Sequence, residues 1–160
     1  HNMEMPIPHD NSNIVSSWDV LNGQEVTGDC VVIGGGLVGA ETAEYLANKG
    51  HQVTIVEMMD KIAAGESTTV LPLMVKDFAD HNVKQLVNTK VDHIENNIVY
   101  TANEQIKADT IINALGSKKN IFDDSSITIP HVCVGDCSGE RTADIASAIR
   151  TAYKAANEID

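Results

Sequence analysis

The sequence predicts an α/β fold: a parallel sheet with helices on both faces and a three-stranded antiparallel meander along one edge. Three observations carry this expectation. Short runs rich in Val and Ile, as strands buried on both faces require, alternate with longer stretches of helical periodicity. Aromatic residues are scarce (2 Phe, 3 Tyr and 1 Trp in 160 residues), so the core must rest on Val, Ile, Leu and Ala. Between residues 89 and 107 the alternation gives way to three short runs divided by turn residues.

Taken in order, His1-Asn2-Met3 looks like a cloning remnant and is left out of the fold. Residues 4 to 23 read as an irregular lead-in, with Pro6, Pro8 and the polar stretch Asp10-Asn11-Ser12-Asn13. One helical turn is expected at Ser16-Ser17-Trp18-Asp19-Val20-Leu21, where Trp18 needs cover. A strand at Asp29 to Ile33 leads through the turn Gly34 to Gly39 into a helix ending at Lys49. That helix sets Val38, Thr42, Tyr45 and Leu46 on one side, and Gly50 suits its C-terminal cap. His51 to Glu57, with Val53, Ile55 and Val56, is the second strand.

A helix is expected from Thr68 to His81, with Leu71, Val75, Phe78 and Ala79 inward and Pro72 in its first turn, where no amide bond is lost. Val83 to Val87 is the third parallel strand. Lys90–Ile94, Ile98–Thr101 and Gln105–Lys107, separated by Asn96-Asn97 and Ala102-Asn103-Glu104, form the meander. Thr110 to Ala114 returns to a parallel strand ending at Gly116. His131 to Val134 is a last strand, Gly135-Asp136 a turn, and Thr142 to Glu158 a final helix.

Composition narrows the partners. With 42% hydrophobic and 21% charged residues the chain is an ordinary globular protein. A formal net charge of −12 opposes nucleic acid and anionic membrane surfaces, so neither is expected as a partner. No run of 18 apolar residues and no basic-then-apolar leader is present, which points to the cytoplasm. Three cysteines cannot build a disulfide framework. Cys30 lies inside an apolar run, and Cys133 and Cys137, four apart, lack C-x-x-C spacing and read as incidental thiols. The histidines have no ligand spacing, so no metal site is expected, nor are catalytic side chains.

Gly34-Gly35-Gly36-Leu37-Val38-Gly39 carries the chemistry. It fits G-x-G-x-x-G, with an apolar strand directly before it and a helix after it, the Rossmann-like arrangement that binds dinucleotides. Gly34 serves the tight turn, Gly36 lets a pyrophosphate reach the backbone, and Gly39 lets helix and strand pack closely. The helix N-terminus offers amides and partial positive charge, overcoming the acidic global field at short range. Glu57 ends the second strand 21 residues after Gly36, where a carboxylate accepts from a ribose 2′-hydroxyl. No arginine follows in Met58-Met59-Asp60-Lys61, so NADH is expected over NADPH. Lys61 is the one nearby cation that would blunt this preference.

Two positions remain open on local grounds. Glu41, placed on the first turn of the helix, either complements the helix dipole or reaches towards a nicotinamide. Gly135-Asp136, after an apolar run and before a helix, is either a turn with Asp136 as helix cap or a carboxylate for a polyhydroxy chain.

The run Val31-Val32-Ile33-Gly34-Gly35-Gly36-Leu37-Val38-Gly39-Ala40-Glu41-Thr42-Ala43 resembles the second dinucleotide fingerprint of flavoproteins with two dinucleotide domains. The preceding Ser16-Ser17-Trp18-Asp19-Val20-Leu21-Asn22-Gly23 resembles the segment leading into the NAD(P)H domain of old-yellow-enzyme-like NADH:flavin oxidoreductases. That group includes 2,4-dienoyl-CoA reductase, 2-enoate reductase and trimethylamine dehydrogenase. Ala108-Asp109-Thr110-Ile111-Ile112-Asn113-Ala114-Leu115-Gly116 and Val132-Cys133-Val134-Gly135-Asp136 are similar to later landmarks of the family.

The resemblance implies a cofactor-binding set of Gly34, Gly35, Gly36, Leu37, Val38, Gly39, Glu41, Glu57, Met58 and Gly116. It places Glu41 near the nicotinamide and sets Gly135 and Asp136 against an FAD. Residues 24–117 would be the NAD(H)-binding domain and 118–160 the last segment of an FAD-binding domain. The first fingerprint, the flavin-binding barrel and the iron–sulfur cysteines of the family have no counterpart here. The chain therefore looks like the C-terminal piece of a larger enzyme whose remaining domains carry FAD, FMN and an iron–sulfur cluster, and the piece alone is expected to be inactive. In the parent, NADH would supply hydride to a flavin that reduces an activated double bond. Two other readings stand beside this: an NAD(H)-sensing module without catalysis, and a domain kept as an electron-transfer partner or scaffold, against which the glycines and Glu57 argue.

Overall fold

The sheet strands are short Val- and Ile-rich runs whose side chains alternate between two cores. A computed structural model describes residues 4–64, 71–118, 123, 125–138 and 145–158. In chain order the elements are β1 (Ile14–Ser16), α1 (Ser17–Leu21), β2 (Cys30–Ile33), α2 (Leu37–Asn48), β3 (Val53–Val56), α3 (Leu71–Asp80), β4 (Lys84–Leu86), β5 (Val91–Glu95), β6 (Ile98–Thr101), β7 (Gln105–Lys107), β8 (Thr110–Asn113), a 3-10 turn (Gly135–Cys137) and α4 (Ile145–Asn157). They divide into two compact units, one ending at Gly116 and one beginning at Ser117.

In the first unit five parallel strands run in the order β1-β8-β2-β3-β4, and β5-β6-β7 form a separate antiparallel sheet. In β2 and β3, Cys30, Val32, Val53 and Ile55 face a core shared with Val20 of α1, Leu46 of α2 and Phe78 of α3. Val31, Ile33 and Val56 face the other way, against Val91, Ile94 and Val99 of the meander. The α/β class and its two sheets are as expected, but the layering differs. The meander covers a face of the parallel sheet rather than extending its edge, and the three helices of this unit share the opposite face. The buried residues of β5 and β6 (Val91, Ile94, Val99) form an apolar side that an edge position would leave in water, which accounts for the face-on packing.

Several local signals act as the chemistry requires. Gly50 adopts φ +91° and donates to the carbonyl of Ala47 (2.9 Å), while His51 donates to that of Leu46 (3.2 Å). This is the Schellman pattern, which satisfies the last carbonyls of α2. Asn96 and Asn97 both have positive φ (53° and 59°), the two-residue hairpin turn that joins β5 to β6.

The structure also corrects the reading at several places. β1 lies within the expected irregular lead-in, where Ile14 pairs with Ile111 and Val15 with Ile112 along β8. Ser16 ends this strand and caps α1, its Oγ accepting from the N–H of Trp18 at 3.1 Å. Trp18 itself stays 45% exposed. α3 turns a different stripe inward: Leu71, Met74 and Phe78 pack on the core, while Val75 and Ala79 are exposed. The position of α2 and the sheet selects between two neighbouring stripes of similar local hydrophobicity. The expected start at Thr68 lies outside the described residues.

In the second unit, no strand forms at 131–134, since no ladder partner is present for it among the described residues. Gly135 (φ +70°) donates to Thr151 Oγ1 of α4 at 2.9 Å, which joins the 3-10 turn to the helix. The expected start of this helix at Thr142 and the side chain of Asp136 lie outside the described residues. All three cysteines are free thiols. Among the described residues no helix is long and apolar enough to cross a membrane, and no group of side chains suits a metal ion.

Candidate dinucleotide-binding site

The glycine turn between β2 and α2 is shaped by a separate demand at each glycine. Gly34 takes φ +102°, and a Cβ there would sit 2.6 Å from the carbonyl oxygen of Ala114 at the end of β8. At Gly39 a Cβ would overlap the carbonyl oxygen of Gly34, so the absent side chain lets α2 lie directly on the turn. Gly35 is closed in by Ile62, whose Cδ1 would be 2.5 Å from an added Cβ, and by Glu57, whose Cβ would be 2.9 Å away.

Gly36 differs from these three. It is the N-cap of α2, with φ −65° and ψ −176°, a conformation any residue adopts. Among the described residues a Cβ there would meet nothing within 4 Å. Among the described residues nothing requires glycine at this position, and the missing side chain leaves open space beside the N-terminus of α2. Among the described residues, none accepts from the N–H groups of Gly36, Leu37, Val38 or Gly39; the first helical bond runs from Ala40 to Gly36 (2.9 Å). These are the four orphan amides that begin any helix, and with the dipole they favour an anion. Leu37 and Val38 are half-buried, and Leu37 packs against the core.

Glu57 sits directly after β3 and is 8% exposed. Its Oε2 accepts the N–H of Gly35 at 2.6 Å, and its Oε1 accepts that of Met59 at 2.7 Å. The carboxylate thus ties the glycine turn to the segment that follows β3. Each oxygen retains acceptor capacity, since a carboxylate accepts about four bonds in all. Met58 and Met59 are 67% and 55% exposed, two large apolar side chains beside this acid.

Sequence reasoning missed the next layer. The N–H of Ala63 donates to the carbonyl of Gly35 at 2.6 Å, and Ala63 is buried with φ +51°. An alanine in the left-handed region has no signature in composition or periodicity. Lys61, on the same segment, is exposed.

The remaining predicted residues are placed as follows. Glu41 is exposed and is the fifth residue of α2, not in its first turn, so the short-ranged helix-dipole explanation loses its force. Gly116 takes φ +100° and is exposed, three residues after β8. Gly135 belongs to the second unit, where its amide serves Thr151.

Parallel strands around a glycine turn, with an acid ending the next strand, make this the Rossmann-like fold of flavoprotein oxidoreductases. Over 99% of its length the chain superposes on 26% of a 2-naphthoyl-CoA reductase structure, with a TM-score of 0.80 and 26% identity. Residues 2–132 match the family of pyridine nucleotide-disulphide oxidoreductases, and the chain belongs to it. Among curated relatives, it is 44% identical to the bilirubin reductase of Mediterraneibacter gnavus, across 98% of this chain and 26% of that protein. It is 31% identical to the cinnamate reductase of Clostridium sporogenes, across 91% of this chain and 23% of that one. The chain spans about a quarter of the length of each of these relatives.

Proposed function

We propose that this chain binds NADH at the Gly34–Gly39 turn and presents it to a flavin held by other parts of a longer enzyme, which reduces an activated carbon–carbon double bond. One observation carries the reading. The amides of Gly36, Leu37, Val38 and Gly39 stand unclaimed at a point where Gly36 leaves open space, beside the buried carboxylate of Glu57. The amides suit a pyrophosphate, the carboxylate suits the adenosine ribose hydroxyls, and Met58 offers an apolar surface to the adenine. Hydride transfer is the chemistry that NADH and flavin supply; the residues here bind and orient.

Membership of the family supports a dinucleotide and a flavin as cofactors. The named relatives act on bilirubin, cinnamate and 2-naphthoyl-CoA, all compounds with conjugated unsaturation, which supports the substrate class. The finer reading is an old-yellow-enzyme-like parent of the 2,4-dienoyl-CoA and 2-enoate reductase kind, carrying FMN and an iron–sulfur cluster elsewhere. It rests on the sequence resemblance. On that reading residues 24–117 are the NAD(H) domain, and 118–160 bring Gly135 and Asp136 to the FAD.

Gly36→Val tests the site. Its backbone angles and empty surroundings tolerate a side chain, so circular dichroism should be unchanged. NADH affinity measured by calorimetry should fall at least about tenfold, the equivalent of roughly 1.4 kcal/mol. A folded variant that binds NADH as the unsubstituted chain does would remove the glycine turn as the site.

A further inference from the structure

Both main-chain polar groups of Gly35 are taken, and by different partners: Glu57 Oε2 holds its N–H and the N–H of Ala63 holds its carbonyl, each at 2.6 Å. The second bond has a consequence beyond Gly35. The carbonyl of Gly35 and the N–H of Gly36 belong to one planar peptide unit and point in opposite directions. Fixing the oxygen on Ala63 therefore fixes the direction of the Gly36 amide, the first of the four unclaimed donors. Ile62 closes the same grip, its Cδ1 occupying the space that a Cβ on Gly35 would need.

We propose that Asp60–Ala63 is a strap that aims the amides of the glycine turn at a pyrophosphate, with Ile62 as its positioning residue. This rests on the dinucleotide reading above. Ala63 is 1% exposed and sits in a left-handed conformation uncommon for any residue but glycine, Asn or Asp. That conformation turns its N–H to the Gly35 oxygen, and burial of its methyl keeps it there. The strap's other end is tied as well: Met59 donates to Glu57 Oε1, and the Met59 carbonyl accepts from Asn88 at 2.8 Å. Donors held in place before the ligand arrives lose little freedom on binding, and the gain is realised as affinity.

The test compares Ile62→Ala, Ile62→Val and Ile62→Leu in the 160-residue chain, using NADH and adenosine as probes and amide hydrogen exchange at Ala63, whose N–H makes the strap's bond to Gly35, without ligand. Ile62→Ala should weaken NADH about tenfold, a loss of roughly one decade in Kd. It should leave adenosine, which has no pyrophosphate, within about twofold. The Ala63 amide should exchange faster as its bond to the Gly35 carbonyl loosens. Ile62→Leu should restore both readouts, and Ile62→Val, lacking only Cδ1, should lose a smaller factor and serves if the alanine chain fails to fold. NADH binding unchanged in the alanine and valine variants, or NADH and adenosine weakened equally, would overturn the positioning role. Failure of the unsubstituted chain to bind NADH would overturn the reading beneath it as well.

Discussion

The Cα of Gly39 lies against the carbonyl oxygen of Gly34, so closely that a methyl group added at Gly39 would overlap that oxygen and stand 3.1 Å from the Cβ of Ala114. One missing side chain thus lets α2, the turn and the end of β8 share a single point of contact.

Gly39→Ala should therefore destabilise the fold. Inside a helix, alanine gains about 1 kcal/mol over glycine from propensity. Overpacking costs about 1–3 kcal/mol, and more where the obstacle is backbone and cannot rotate away. The clash wins, and urea denaturation should show a lower midpoint than for the unsubstituted chain. An equal or higher midpoint would mean that α2 can lift off the turn at little cost.

Glu57 ties the stability of the glycine turn to the cofactor preference proposed for it. Replacing it by Gln leaves one oxygen to accept and turns an NH2 group towards either Gly35 or Met59, both of which are donors. A charge-assisted bond is worth about 1.5–3 kcal/mol, so Glu57→Gln should cost about that much stability. On the proposed function the carboxylate of the native chain would repel a 2′-phosphate, so NADH should bind at least about tenfold more tightly than NADPH, or roughly 1.4 kcal/mol. The variant should narrow that ratio. Calorimetric titration of both nucleotides decides the matter, and equal affinities in the native chain would point to Lys61 as the compensating charge.

Between α2 and α3 a carboxyl pair makes stability depend on pH. Burial raises the pKa of Glu44 above its ordinary value of 4.5, and a hydrogen bond to Asp77 and the charges of Asp77 and Glu41 raise it further. The folded chain thus holds this proton over a range where the unfolded chain has released it. The contribution is fully present below pH 4.5 and is lost as pH rises through the higher folded value. Denaturation midpoints measured from pH 4 to 8 should show Glu44→Gln gaining on the native chain as pH rises, then running parallel. A constant difference across that range would exclude a raised Glu44 pKa in the folded chain.

Purified alone, the 160-residue chain should be colourless and should not consume NADH. It has one glycine fingerprint, which the proposed function assigns, through Glu57, to the nicotinamide dinucleotide. A carboxylate at position 136 can add one or two bonds to a flavin side chain, each worth about 0.5–3 kcal/mol. That falls short of the roughly 8 kcal/mol of micromolar binding. Flavin absorbance in the isolated chain, released on denaturation, would reverse the assignment of the site.

The sequence by itself determined the βαβ run from β2 to β3, the positions of the glycines, the acid at the end of β3 and the Asn96-Asn97 hairpin. Each of these is a local demand, met by steric freedom or capping within a few residues, so each leaves a local trace. Tertiary structure decided the rest. β1 is a strand only because β8 lies beside it, 97 residues along the chain from Ile14 to Ile111. The meander's face-on packing and the inward stripe of α3 were choices between arrangements with similar local patterns, made by what each surface could bury. At the candidate site, the sequence marked Glu57 as an acid next to a glycine turn, but not that its two oxygens would hold Gly35 and Met59. Nor did it mark Ala63, whose left-handed conformation depends on a bond to a residue 28 positions earlier. Contacts between residues far apart in the chain carry no periodicity, and the orientation of the Gly36 amide depends on two of them.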